Sequence, residues 1–163
     1  GIIPNFSYVK NEVTKLASVQ QDISKGLFVG QPLNAIYGYV ADGLFVNAND
    51  IANYPAQPYS AQPGFIRYKD ISGPDGVPDG KVDATYDRKV IGSTFPKYSY
   101  GATITADYKG FDFSVLIHGL AGCDKQMTAY EAVAFDNNGQ IQRWQADNRW
   151  TTDNPNPNAK YIK

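Results

Sequence analysis

The sequence predicts an all-β, antiparallel fold, and three observations carry that prediction. Aromatic and turn-forming residues are abundant (Tyr 12, Phe 8, Trp 2, Gly 15, Pro 10), while charged residues make up only 19% of the 163 positions. The usual charged share is about 25%, and this balance suits strands joined by many turns better than a helical bundle. The second observation is Tyr98–Tyr108 (YSYGATITADY), which alternates without a break. Tyr98, Tyr100, Ala102, Ile104, Ala106 and Tyr108 share one face; Ser99, Gly101, Thr103, Thr105 and Asp107 share the other. Third, Lys109-Gly110 supplies a two-residue turn, and Phe111–Leu120 returns as a second strand. Phe111, Phe113, Val115, Ile117 and Gly119 fall on one face of it, and Asp112, Ser114 and His118 on the other, with Leu116 and Leu120 as exceptions.

The remaining elements are shorter. Phe6–Leu16 is rich in β-formers and reads as one strand of imperfect alternation. Leu27–Val46 reads as a bent strand, or two short ones with bulges, because glycines punctuate its apolar runs. Asn47 to Tyr54 has the pattern of a capped single helical turn. Pro55–Pro63 is loop, Phe65–Tyr68 a short strand, and residues 69–92 open into a turn-rich acidic loop. Gln140–Arg149 reads as a short helix before a polar, turn-rich segment from Trp150 onward.

A net charge of −1 and a pI near 5.7 provide no electrostatic footprint for nucleic acid or for an anionic surface. Cys123 is the single cysteine, so no intramolecular disulfide framework exists. No apolar run reaches the roughly 18 residues of a transmembrane helix, a criterion that does not touch transmembrane strands. The chain opens Gly1-Ile2-Ile3-Pro4 without an initiator Met. Either a signal peptide has been removed or the chain is an internal fragment, and a piece of a longer protein is the expectation.

Alternation alone fits two solvents. A soluble half-buried strand and a membrane-spanning strand both show it. Tyrosines at the two ends of Tyr98–Tyr108, small aliphatics between them and hydroxyls opposite suit a spanning strand with interfacial aromatics. A short turn on one side and long loops on the other tip the reading to an antiparallel segment of a transmembrane β-barrel. Its long extracellular loops then carry the short helices. The alternative is a soluble β-sandwich that binds carbohydrate, Ca²⁺-assisted, in which a second sheet would cover the aromatic face.

Several blocks occur together and in one order. Gly30-x-Pro32, Tyr37-Gly38-Tyr39 and Gly43-Leu44-Phe45 come first. Asp75-Gly76-x-x-Asp79-Gly80-Lys81-x-Asp83 follows, with Asp87-Arg88 and Ile91-Gly92. Pro96-Lys97-Tyr98-x-Tyr100-Gly101, Tyr108-Lys109-Gly110-Phe111-Asp112, Arg149-Trp150-Thr151 and Asn156-Pro157-Asn158-Ala159-Lys160-Tyr161 complete the set. In this order the chain resembles SusC/RagA-type TonB-dependent outer-membrane transporters of Bacteroidetes. The resemblance implies a barrel of about 22 strands, of which residues 1–163 form a partial barrel domain. The plug, the TonB-contacting box and the closing strand would lie elsewhere. It further implies import of glycans or peptides across the outer membrane, energised through TonB, with a SusD-like surface lipoprotein as lid. On that reading Tyr98, Tyr100, Ile104, Tyr108, Phe111, Phe113 and Val115 face outer-membrane lipid. Ser99, Thr103, Thr105, Asp112 and His118 face the lumen. The acidic loop and residues 128–163 lie on the extracellular side.

Asp70, Asp75, Asp79, Asp83 and Asp87 crowd one loop, and oxygen-rich acidic loops are the usual home of Ca²⁺. With Asp75 in the first position of an EF-hand loop, Asp79, Gly80 and Asp83 fall acceptably, but Val77 and Tyr86 occupy ligand positions and Asp87 comes one residue late. A tight turn built on glycines and Asx turns is the preferred reading, with Ca²⁺ on Asp75, Asp79, Asp83 and Asp87 as the alternative. Glu12 and Glu131 are the only glutamates and belong to no paired-carboxylate motif, which argues against a hydrolase. His118 lacks a nucleophile motif and is expected to hydrogen-bond Asp112 or Ser114. Tyr37, Tyr39, Phe45, Tyr54, Tyr59, Trp144 and Trp150 suit loop-packing anchors as well as ring-stacking platforms.

Overall fold

The computed structural model describes residues 1–17, 19–128, 132 and 139–162. The strands are β1 (Ile2–Tyr8), β2 (Gln21–Asp22), β3 (Leu27–Phe28), β4 (Ala35–Tyr39), β5 (Ala41–Leu44), β6 (Ile66–Tyr68), β7 (Arg88–Ser93), β8 (Tyr98–Tyr108) and β9 (Phe111–Ala121). A 3-10 turn spans Ile23–Lys25, and two five-residue helices, α1 (Ala48–Ala52) and α2 (Arg143–Asp147), complete the described elements. The pairs β1–β8, β2–β3, β5–β6 and β8–β9 are antiparallel, in line with the all-β expectation. The chain divides into two units, Gly1–Tyr37 with Val90–Gln126 and Gly38–Lys89 with Met127–Lys163.

The first unit carries a three-stranded sheet in the order β1-β8-β9. The hairpin β8–β9 has the register read from the sequence, from Tyr108↔Phe111 at the turn to Tyr98↔Ala121 at the open end. Lys109 (φ 47°) and Gly110 (φ 85°) both lie in the left-handed region, as a two-residue turn matched to strand twist demands. β1 pairs with β8 from Ile2↔Ile104 to Tyr8↔Tyr98. Gly1 and Thr105 exchange backbone bonds, and Val9 N–H donates to Lys97 O at 2.9 Å. Odd-numbered β1 residues are therefore the hydrogen-bonded ones and even-numbered residues the close, non-bonded ones. Pro4 falls on an even position, so its missing N–H costs no bond to β8.

The expected strand Phe6–Leu16 is shifted. Strand geometry covers Ile2–Tyr8, and after Val9 the chain leaves the sheet. Val13 N–H then donates to Gln31 O, Gly30 N–H donates to Val13 O, and the Asn11 side chain accepts from Leu33 N–H at 2.7 Å. The β-formers past Tyr8 thus serve a loop core in which Val13, Phe28, Ala35 and Ser93 are buried. The Ser93 hydroxyl donates to Leu33 O at 2.7 Å, and Asp124 receives Ser93 N–H at 3.0 Å.

The second unit has little regular structure and a real core. Leu44, Phe45, Val82, Asp87, Gln145, Trp150 and Tyr161 are buried. β5 and β6 pair with a register shift between Ala41 and Leu44, the bulge expected of a glycine-punctuated strand. Gly43 sits at φ 92°, and a Cβ there would meet Pro157 O at 2.7 Å. Glycine lets Leu44 N–H reach that same carbonyl at 2.8 Å. The helix read over Gln140–Arg149 is shorter, Arg143–Asp147. Gln145 returns its side chain to Gln142 N–H, while Lys160 N–H to Asn148 O and Trp150 N–H to Tyr161 O draw the chain into an extended bridge.

Candidate functional site

Register places one continuous apolar surface across three strands. Ile2, Pro4, Phe6 and Tyr8 of β1 stand opposite Ile104, Ala102, Tyr100 and Tyr98 of β8. Those in turn stand opposite Val115, Ile117, Gly119 and Ala121 of β9, while Ala106 and Tyr108 face Phe113 and Phe111. The residues singled out as lipid-facing, Tyr98, Tyr100, Ile104, Tyr108, Phe111, Phe113 and Val115, all share this face. Ser99, Thr103, Thr105, Asp112 and His118 share the other. The β1 contribution escaped sequence reading because Pro4 disguises an alternating strand.

No residue of β1, β8 or β9 is buried. Phe111 is 80% exposed, Phe6 70% and Phe113 59%; among the described residues no second sheet covers this face, whereas a sandwich would cover it. Aromatics mark both ends. Tyr8 and Tyr98 lie 5.2 Å apart, with Phe6 6.2 Å from Tyr98, and Tyr108 and Phe111 pair at the turn. Tyr100 packs over Gly119, where a Cβ would meet its ring at 2.6 Å, an aromatic covering a glycine in the strand. Ten strand steps at about 3.3 Å, tilted about 40°, separate the aromatic ends by roughly 25 Å, the height of an outer-membrane apolar band.

His118 lies opposite Gly101 and makes no hydrogen bond to Asp112 or Ser114. All three are on one strand, and residues four and six apart are separated by about 13 and 20 Å. Cys123 is exposed. Glu131 lies outside the described residues.

The acidic loop is organised by its carboxylates. Asp87 is fully buried, and its two oxygens accept from the N–H groups of Ile71 (2.7 Å), Ser72 (3.2 Å) and Asp83 (2.7 Å). Asp83 accepts from Thr85 and Tyr86 N–H; these bonds, with Lys81 at 3.5 Å, hold its carboxyl below the usual range. Asp79 accepts from Lys81 N–H, and Asp70 from Gly80 N–H at 2.7 Å. Among the described residues no group of three or more His, Cys, Asp or Glu is placed to hold a metal ion. Of Asp75, Asp79, Asp83 and Asp87, the last three accept from backbone amides, as carboxylates of Asx turns do.

A second polar cluster was not legible in the sequence. Arg67 reaches Asp50 at 3.0 Å and donates through Nε and Nη2 to Asp42 O at 3.1 and 2.9 Å, with its guanidinium 4.7 Å from the Tyr54 ring centre. The Tyr54 hydroxyl donates to Asp42 at 2.8 Å, and Lys69 lies 3.2 Å from the same carboxylate. This hydroxyl bond, with Lys69 and Arg67, holds Asp42 below its ordinary pKa; burial and the bond to Asp42 push Tyr54 up to about 12. Asp50 also accepts from Val46 N–H, and Asn47 caps α1 by accepting from Asp50 N–H at 2.9 Å. The spacing of Asp42, Asp50, Tyr54 and Arg67 follows no helical or strand period, so no pattern flagged it.

The aromatic candidates are packing anchors. Tyr37 stacks on Phe28 (4.9 Å), Tyr39 on Tyr68 (5.0 Å), and Tyr54 meets Phe45 edge-on. Tyr59 lies against Phe65 and Tyr68. Trp150 is buried, whereas Trp144 meets Tyr161 edge-on and keeps its other surface open.

No family model matches the chain. It is 26% identical over 130 residues to TonB-dependent receptor P3 of Formosa agariphila, an alignment covering 72% of this chain and 12% of that protein. The chain thus spans a small part of the length of the relative it matches. The alignment supports a relationship between this chain and a TonB-dependent receptor.

Proposed function

We propose that the chain forms part of the wall and the extracellular loops of a transmembrane β-barrel in an outer-membrane importer of the SusC/RagA type. The carrying observation is the β1-β8-β9 sheet. One face is apolar in all three strands and uncovered, aromatics flank it at both ends, a two-residue turn closes one end, and long segments leave the other. Water is a poor solvent for such a surface, since exposed apolar patches of this kind mark contact with lipid or a partner. The relative's description as a TonB-dependent receptor agrees with a transporter rather than an enzyme. In this reading the face with Tyr98, Ile104, Phe111 and Phe113 meets lipid, and the face with Thr103, Thr105 and Asp112 meets the lumen. TonB supplies energy, and a SusD-like lipoprotein closes over the loops around a glycan or peptide.

The test is fractionation of the full protein that carries this chain. It should sediment with outer membranes, resist carbonate extraction and require detergent for a monodisperse preparation. A detergent-free, monodisperse monomer that unfolds cooperatively would sink the proposal.

A further inference from the structure

We propose that the Tyr8/Tyr98 corner of the sheet is a docking site for the phosphate-bearing head group of a membrane lipid, with Lys10 and Lys97 as its cationic contacts. The inference rests on the barrel reading, because only a lipid-facing sheet brings a head group to this corner. A cavity of about 250 Å³ opens here, and Tyr8, Lys10, Asn11, Glu12, Lys97 and Tyr98 are among its lining residues. The Val9 N–H bond to Lys97 O is the rung just beyond the last strand pair, Tyr8↔Tyr98. Both lysines therefore stand at the level just past the aromatic end of the strands, and both line the one cavity beside Tyr8 and Tyr98. Tyrosine rings settle at head-group level, and lysines just beyond that level attract anionic lipid.

The charge is arranged to match. Among the described residues neither the Lys10 nor the Lys97 ammonium has an ion-pair partner, and the cavity wall sets these two against the single carboxylate of Glu12. Asn11 has its Oδ1 occupied by Leu33 N–H, which leaves Nδ2 as a further donor. The turn end of the same strands has the opposite balance. Asp107 and Asp112 face each other across the ladder, and Lys109 lies over the Tyr108 ring at 5.2 Å. A phosphate would be repelled there. The whole-chain charge of −1 conceals this polarity along the strands.

The experiment uses the full protein in an uncharged detergent, titrated with phosphatidic acid and followed by native mass spectrometry. Phosphatidylcholine and inorganic phosphate serve as comparison ligands. Phosphatidic acid should bind, and the K10Q/K97Q double variant should bind it roughly thirtyfold more weakly, at about tenfold or less per lysine near a charged lipid surface. K109Q should bind like the parent. Unchanged binding by K10Q/K97Q, or an equal loss in K109Q, overturns the site. Equal binding of phosphatidylcholine removes the phosphate from the argument. Competition by millimolar inorganic phosphate with no preference for the lipid overturns lipid docking. The thermal midpoint of each variant without lipid is recorded alongside, so that misfolding is not mistaken for lost binding. Failure of the barrel reading itself looks different: the parent would then need no detergent at all.

Discussion

The two longest strands of the molecule, eleven residues each, contribute no buried residue, whereas the irregular second unit contains Phe45, Trp150 and Asp87 at 2% exposure or less. In a water-soluble domain the relation is reversed, because a long alternating strand exists to bury one face. The difference lies in what each region uses as its apolar solvent. The second unit folds around its own side chains and draws on its own groups to meet buried polar ones, as Asp87 does on three amides and Arg67 on two acidic residues. In the sheet only β8 is paired along both edges, and no residue on the apolar face of the three strands is buried.

The largest effect expected from this contrast is on a single charged substitution. Ile104 lies mid-strand on the apolar face between Ile2 and Val115, and Thr103 is its neighbour on the other face. Ile104→Lys should destabilise the protein by about 2–4 kcal/mol, the cost of a lysine near a bilayer midplane, and Thr103→Lys by well under half of that. Denaturant unfolding in lipid vesicles measures both. Equal, small effects would show that the two faces share one solvent and would break the comparison.

The second unit should fail through a different residue. Asp87→Ala removes one carboxylate from three backbone donors, at a cost of about 2–3 kcal/mol for the lost charge-assisted bonds and the orphaned N–H groups. Amide exchange at Ile71, Ser72 and Asp83 should quicken by a hundredfold, while the β8–β9 ladder keeps its protection. Chelating or adding Ca²⁺ should leave those rates unchanged in the parent. Slower exchange on adding Ca²⁺ would return the acidic loop to the cation reading.

These regions also differ in how much of them could be read in advance. β8, the Lys109-Gly110 turn and β9 are local: period-2 alternation over consecutive residues dictates faces and register, and the structure keeps both. β1 joins β8 across some ninety residues, and no local pattern encodes that pairing; Pro4 further hid its alternation. The acidic loop was legible in type, since Asp and Gly at close spacing make Asx turns, but which amides each carboxylate caps depends on the path of the chain. The Arg67 cluster draws on Asp42, Asp50 and Tyr54 from separate elements, and only the folded loop brings them together.

That cluster gives a smaller, pH-resolved test of the second unit. Asp42 has a depressed pKa in the folded state, so its contribution is present above its ordinary value of 3.8 and is lost as pH falls below that. Tyr54 has a raised pKa, so its contribution is present below its ordinary value of 10.0 and is lost as pH rises toward about 12. Tyr54→Phe should move acid loosening of residues 42–67 to higher pH, and Asp42→Asn should bring the Tyr54 phenolate absorbance transition part of the way back down, since burial remains. Arg67→Lys, which gives up the forked contact, should cost about 1–2 kcal/mol. An unmoved Tyr54 transition in Asp42→Asn would remove the hydroxyl–carboxylate bond from the account.

The smallest effect returns to the sheet, at the turn that closes it. Lys109 occupies the first central position at φ 47°, a left-handed conformation that asparagine adopts at less cost than lysine. Gly110 at φ 85° already suits the second position. Lys109→Asn should therefore stabilise the hairpin by about 0.5 kcal/mol through the backbone alone. The sign is informative because the same change removes the cation over the Tyr108 ring, a contact worth about 0.5–1 kcal/mol where water reaches it. If the turn end lies at a membrane interface and the lysine helps hold Tyr108 there, the gain shrinks in vesicles relative to detergent. A gain of the same size in both would assign Lys109 to turn geometry alone.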